Sequence, residues 1–463
     1  MNSQQQSTAA TYSHIEPAKG FPDLVLLHQY DPERYPFLLE SVAQGSTEAR
    51  YDILFAFPQG TLILNNKNKL TSTYGETNGN DFLANLDDWW RRCNNTEEKL
   101  NELPFQGGWF IYLGYELAGQ IEPVLNLPVQ DVDDVVAYAV RIPAAIIRDH
   151  VTQRCWIVSE TAHQDTISIM HKDLIGISSP KKQEKTNLID SIVEDDGTNY
   201  IEAVKRIREY IVEGDIFQVN ISRQWAVTLN EQASDYDLYS ALRKNNPAPF
   251  SGIANYAGRS IISSSPERLI SVRAREIETR PIAGTRPRGD EFVSDQALSV
   301  ELLAHPKECA EHIMLIDLER NDLGRVCEPG SINVNELMVL ESYTHVHHIV
   351  SNIRGRVRED VSPGDIIRAV FPGGTITGCP KVRCMEIIAE LEQTPRGAYT
   401  GSIGYLNLNG DMDFNILIRT MTRQGKDLKL RAGAGIVADS IAENELEETR
   451  TKAKGLLKAL GVT

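Results

Sequence analysis

The chain has 463 residues, 41% hydrophobic and 24% charged, which is more than a single core usually accommodates and ample for a large folded unit. Its 64 acidic residues outnumber 47 basic ones, for a net charge of −17, which argues against a protein that holds nucleic acid by neutralising phosphates. No apolar run is long enough to span a bilayer, so neither a nucleic-acid nor a membrane partner is expected.

The first twenty residues are polar, with no basic start followed by an apolar stretch, so a cytoplasmic location is expected. Six cysteines are scattered and fit neither a CxxC motif nor a zinc knuckle, which reads as reduced thiols. Short strand-like runs, "DILFAF" and "AAIIRDH", mark the first part of the chain. A polar, charged stretch at 178–200 is the expected connection to a second part. Asn199 with Glu202 resembles a capping box, and Ile201, Val204, Ile207 and Ile211 form one apolar stripe that Gly214 ends. In "DIFQVNISRQ", Phe217, Val219 and Ile221 alternate with Gln218, Asn220 and Ser222, a strand whose Gln218 points away from its apolar face. Further strands are expected at 260–264, 268–273, 399–408, 412–421 and 427–437, and helices at 306–320, 380–392 and 441–460. Strands following strands, with a few long helices between, favour an α+β fold with largely antiparallel sheets.

Several constellations carry chemistry. Glu308 and Glu311 share one helix face, as do Glu445 and Glu448, with Pro306 and a Ser440–Glu443 capping box as the helix starts. If these faces meet, four carboxylates require a divalent cation between them, and an oxygen-only shell suits Mg²⁺; the plainer alternative is solvated helix surface. "FPGGTITGCPKV" runs a Gly-rich loop into a helix beginning at Pro380, where free amides and Lys381 suit an anion, although the spacing is not that of a P-loop. "AGAGIVADS" formally matches a dinucleotide fingerprint, but its antiparallel setting and the position of its acidic residues argue against one; Gly433 and Gly435 there allow backbone to approach a small ligand. Of His345, His347 and His348, alternation directs one of the last two inward, as a core histidine or a general acid or base. Glu267 in "SSSPERLI" is either an ion pair with Arg268 or a buried carboxyl of raised pKa suited to protonating a leaving hydroxyl.

With "GDIFQVNISR", "TRPIAGTRPRG", "HIMLIDLERNDLGRV", "VHHIVS", "FPGGTITGCPKVRCMEII", "GSIGYL" and "AGAGIVADS" in this order, the chain resembles the chorismate-utilising enzymes over nearly all of 199–463. The resemblance implies a two-lobed sandwich of largely antiparallel sheets flanked by helices, with an accessory domain at 1–180 and a catalytic domain at 195–463. It matches Glu311 and Glu445, supported by Glu308 and Glu448, to magnesium ligands. Thr375, Tyr399, Arg419, Gly433, Gly435 and Lys452 match substrate contacts, and Gly284 lies beside them in the PIAGT segment. Glu267 matches a general acid and His348 a histidine near the ring. Gln218 stands where water-adding members carry a lysine base, and glutamine takes no proton from water near neutral pH, so the aminating branches remain. Ala283, followed by Gly284 and Thr285, reads PIAGT as in anthranilate synthases, whereas "LPFQGG", Asn220, His347 and Gly373–Gly374 look more like aminodeoxychorismate synthases, a subclass of which carries PIAGT. That subclass is the expected branch, with anthranilate synthase as the alternative. The chain shows no glutaminase motif, so a separate glutamine amidotransferase subunit is implied as partner. "LLES" resembles the tryptophan pocket of anthranilate synthases, including Ser41; a solvated helix start is the alternative there.

Overall fold

A computed structural model describes residues 13–18, 20–43, 49–93, 103–129, 134–177, 187–287, 306–342 and 346–462. Two antiparallel sheets dominate it. The first runs, in spatial order, through the strands Ser13–Pro17, Arg154–Glu160, Ala144–Asp149, Tyr51–Ala56, Phe37–Glu40, Phe250–Tyr256, Arg259–Ser265, Thr420–Gln424, Asp427–Ile436, Gln218–Leu229 and Ile189–Glu194. The second runs through Ile282–Pro287, Val346–Arg356, Glu276–Thr279, Arg268–Arg273, Met412–Asn415, Ser402–Asn407, Gly108–Leu113, Val135–Ile142, Thr61–Asn65 and Leu70–Ser72. Each sheet has one further strand beside this path: Gly378–Cys379 joins the first and Asn333–Ser342 the second.

The sheets face each other across an apolar layer in which Phe37 of the first stacks on Phe110 of the second, ring centres 4.0 Å apart. Helices cover the outer faces. Phe82–Cys93, Pro306–Gly324 and Pro363–Val370 pack on the second sheet, and Asp235–Asn245 and Ala442–Ala459 on the first. The architecture is therefore the α+β fold with antiparallel sheets that the strand pattern favoured, arranged as the sandwich that the resemblance implied. Strands from both sides of the expected boundary near 180–195 share both sheets. Phe37–Glu40 pairs with Phe250–Tyr256, and Gly108–Leu113 with Ser402–Asn407. The polar 178–200 stretch contains the strand Ile189–Glu194, which closes one edge of the first sheet.

Local expectations fail where a capping side chain or a bend decides. The helix expected from Asn199 starts at Gly197, because Asp196 accepts from the Thr198 NH; Gly214 ends it in the left-handed conformation at φ 86°. Ser440 does not cap the last helix. Its hydroxyl accepts from Val437 NH, and the cap is Ile441. Pro380 is the residue before, not within, its helix. Phe217 is 70% exposed, because the regular ladder begins only at Gln218.

The expected 412–421 strand is two strands in different sheets: Met412–Asn415 belongs to the second and Thr420–Gln424 to the first. The neighbouring chain does the same, with Arg259–Ser265 in the first sheet and Arg268–Arg273 in the second. The two crossings lie side by side. Ser264 NH donates to Arg419 O, Ile416 NH donates to Glu267 O, and Ser265 Oγ donates to Ile416 O. Both segments must break their ladder to change sheets, so their side chains there are free of the alternation that would send them into a sheet face. Glu267 and Arg419 occupy these breaks.

Candidate active site

Glu267 follows Pro266 at the first crossing and is 6% exposed. Arg268, its expected ion-pair partner, turns away and grips Asp413 with two hydrogen bonds of 3.1 Å. That leaves the Glu267 carboxyl to burial, which pushes its pKa up to about 7; the Thr375 hydroxyl, Ile282 NH, and the charges of Lys452 and Arg419 pull the other way. Burial wins. Thr375 Oγ1 is buried without a hydrogen-bond partner, which leaves it available beside the acid. Glu267, Thr375, Arg419 and Lys452, each singled out from the sequence, are thus brought together.

Arg419 is held at φ 53°, a backbone conformation costly for a side chain with a Cβ, of order 1–3 kcal/mol, which the crossing imposes. Desolvation pushes its guanidinium pKa down, against the charges of Tyr399, Glu448 and Glu267. Glu448 accepts from Lys452 Nζ at 2.7 Å across one helical turn. Tyr399 reaches the glycine-bearing strand: a Cβ at Gly433 would meet its hydroxyl at 2.8 Å and Ile221 O at 2.5 Å. A Cβ at Gly435 would lie 2.5 Å from Gln218 Nε2. Both glycines are therefore required by close approach of the protein's own groups. Gln218, 6% exposed, donates from Nε2 to Glu311 Oε1 at 2.6 Å. Its Oε1 has no hydrogen-bond partner.

Glu311 is tied to Gln218, and Glu445 and Glu448 both act on Tyr200, whose phenol they and burial hold well above its usual range. Among the described residues no group of three or more His, Cys, Asp or Glu side chains converges on one point, so the four-carboxylate shell is not assembled. The donor chemistry, carboxylate oxygens with the Gln218 amide beside Glu311 and the Lys452 ammonium beside Glu448, still suits a hard cation.

In the PIAGT segment, the backbone of Ala283 pairs with Ile349 and that of Thr285 with His348. Gly284 at φ 66° carries the register break between them, a bulge that needs a residue without Cβ. The side chains of Ala283, Thr285 and His347 lie outside the described residues, as does all of His345. His348 is buried, as expected for one of the pair. Lys381 is not an open anion ligand. It donates to Asp322 Oδ2 at 2.5 Å and to Val370 O. The strand bearing Gly433 runs antiparallel to both neighbours, which removes the dinucleotide reading. None of the six cysteines is in a disulfide.

Ser41 lies elsewhere. It follows the strand Phe37–Glu40 rather than starting a helix, donates from Oγ to Tyr51 O at 3.0 Å, and lines a cavity of about 270 Å³ with Glu40, Tyr51, Phe250, Arg268 and Asn415.

Sequence reasoning missed Glu319, 4% exposed on the Pro306–Gly324 helix, and the buried trio of Glu392 between Arg396 and Arg431, which flanks Tyr399. The signal for Glu319 is present in "LIDLERND": Glu319 lies three and four residues after Ile316 and Leu315 and four before Leu323, on the apolar stripe of its helix.

The family model for chorismate binding enzymes matches residues 35–458. The chain is 41% identical over 382 residues to an anthranilate synthase component I-like protein of Synechocystis, covering 82% of this chain and 78% of that protein. It is equally 41% identical to aminodeoxychorismate synthase component 1 of Bacillus subtilis, covering 80% of each. The crystal structure of anthranilate synthase component I from Streptococcus pneumoniae TIGR4 superposes with a TM-score of 0.79 at 31% identity, covering 89% of this chain and 93% of that one. The chain belongs to the chorismate binding enzyme family.

Proposed function

We propose that the chain is component I of an aminodeoxychorismate synthase: it aminates chorismate to 4-amino-4-deoxychorismate, a precursor of p-aminobenzoate and folate, with ammonia released by a glutamine amidotransferase subunit. The observation that carries an acid-assisted reaction is Glu267, a buried carboxyl still protonated near neutral pH and facing Thr375, Arg419 and Lys452. Glu267 gives its proton to the C4 hydroxyl, which departs as water. Ammonia forms the new bond at C2 as the ring double bonds shift, then sheds a proton, giving noncovalent 2-amino-2-deoxyisochorismate. A second ammonia adds at C4 and gives up a proton, while the C2 amine takes up a proton and leaves as ammonia. Arg419 and Lys452 hold substrate carboxylates, and Tyr399 with the Gly433–Gly435 backbone forms a wall. Gln218 supports this reading, since its amide is engaged with Glu311 and takes no proton from water. A magnesium ion held by Glu311 and Glu445, with Glu308 and Glu448 in support, supplies when bound a positive charge for a ring carboxylate.

The alternative is anthranilate synthase component I, favoured by Ala283 in PIAGT and by relatives bearing that name. Incubation with chorismate, Mg²⁺ and ammonium salt, with and without an added aminodeoxychorismate lyase, separates the two. p-Aminobenzoate appearing only with the lyase supports the proposal. Anthranilate as main product rejects it. The Ser41 cavity is the place for tryptophan, tested by calorimetric titration of the amino acid against the chain and a Ser41→Phe variant.

A further inference from the structure

Arg396 is a buried cation that the reaction above does not use; its side chain is 1% exposed. A guanidinium carries five N–H donors in one plane, and here each of them has an acceptor. Nε donates to Glu392 Oε2 at 3.1 Å and Nη2 to Glu392 Oε1 at 2.7 Å, so one carboxylate neutralises the charge from one side. The remaining donors reach three different segments. Nη2 donates to Asn220 O at 2.8 Å, and Nη1 to Ile376 O at 3.2 Å and Thr400 Oγ1 at 3.3 Å. The rings of Tyr115 and Tyr399 have their centres 4.9 Å and 5.6 Å from the guanidinium carbon.

Each segment that Arg396 holds carries a residue of the candidate site. Asn220 stands two residues after Gln218 on one strand, Ile376 ends the turn that contains Thr375, and Thr400 follows Tyr399. Thr400 is kept at φ 63°, a costly conformation for a β-branched residue, and its NH donates to Leu417 O, two residues before Arg419. Behind Arg396 the support comes from two sides. Arg431 donates to Glu392 Oε2 at 2.8 Å and to Ser222 Oγ at 3.1 Å. Glu116, from the first part of the chain, accepts from Arg396 NH at 2.7 Å and from Gly397 NH at 3.1 Å.

We propose that Arg396 is a positioning residue for the amination: by joining Asn220, Ile376 and Thr400 it fixes Gln218, Thr375 and Tyr399 relative to one another, and with them the wall against which chorismate is oriented. This rests on the reading of Thr375 and Tyr399 as substrate contacts. Lysine is no substitute, because the three donors of an ammonium leave one nitrogen and do not span a carboxylate and three further oxygens set around a planar fork.

The test follows loss of chorismate with Mg²⁺ and saturating ammonium salt, so it is independent of which amino product forms. Rates of wild type, Arg396→Lys, Tyr399→Phe, Thr375→Val and the two doubles containing Arg396→Lys are normalised to folded protein by near-ultraviolet circular dichroism. Arg396→Lys should lower kcat/KM by about 10²-fold, the scale of an ångström-sized misplacement. On the Tyr399→Phe and Thr375→Val backgrounds the same substitution should cost less by about threefold or more, because part of what it displaces is already gone. Equal costs on all three backgrounds overturn the proposal, since a general loss of integrity multiplies every rate by one factor. An Arg396→Lys enzyme with wild-type kcat/KM also overturns it. If Tyr399→Phe and Thr375→Val are each as active as wild type, the substrate-contact reading fails and takes the proposal with it, a result distinct from equal costs on impaired backgrounds. If Arg396→Lys does not fold, Thr400→Val decides. It removes one acceptor and leaves the Glu392 pair, and its loss of about three- to tenfold should shrink on the Thr375→Val background, whose turn is bonded to the same Nη1. An undiminished loss there overturns the proposal.

Discussion

Glu267 and Glu319 are 6% and 4% exposed, whereas the Glu448 side chain is 46% exposed and Glu311 and Glu445 are half-buried. The same side chain is thereby made into two different reagents. Behind the sheet crossing, with lysine and arginine too few to offset burial, the carboxyl keeps its proton into the neutral range. On the helix faces, Glu311 and Glu448 have an amide and a lysine within reach and are the proposed cation ligands. Position relative to the crossing, rather than residue type, separates the proposed acid from the proposed ligands.

The largest expected effect breaks the acid side of that comparison. Glu267→Gln should lower chorismate amination with ammonium salt by about 10²–10⁴-fold, while chorismate binding by calorimetry persists; an unchanged rate would end the distinction. On the ligand side, Glu311→Gln and Glu445→Gln should each raise the Mg²⁺ concentration for half-maximal activity by about 10–100-fold, read from a magnesium titration of turnover. Buried Glu267 also sets a pH dependence of stability. Its pKa rises from 4.5 when unfolded to about 7 when folded, so the folded state binds the extra proton, and stability is present below 4.5 and falls as pH rises to 7. At about 1.4 kcal/mol per pH unit the loss reaches about 3 kcal/mol, and Glu267→Gln should remove it. Urea midpoints at pH 5 and 8 for both proteins check the sign. Smallest is Lys452→Met: its half-exposed pair with Glu448 contributes less than about 1 kcal/mol to folding, so the melting temperature should hardly move while KM for chorismate rises.

Much of this was legible in residues. Glu267 and Thr375 stand in motifs that keep their order in the chain, Arg419 and Lys452 were implied by the family resemblance, and the antiparallel α+β class followed from strands succeeding strands. The 412–421 run was not legible as two strands, because its alternation is apolar throughout the break: Ile416, Leu417 and Ile418 read as strand although they cross between sheets. Asp196 and Ser440 show why caps misread by one to three residues. Several Asp, Asn and Ser side chains compete at each helix start, and only the surrounding backbone selects one. Glu319 escaped because a run that also carries Asp317, Arg320 and Asp322 reads as helix surface until a turn from elsewhere in the chain, Gly374–Ile376, is seen to close over it.

The paired crossings also limit how this centre can be altered. Since Ser264, Ser265 and Glu267 are stitched through backbone to Ile416 and Arg419, adding or deleting one residue in either segment would reverse which way every later side chain on that strand faces. New substrate preferences would have to be built around this floor, at segments such as 281–287 or 371–377, without changing its length.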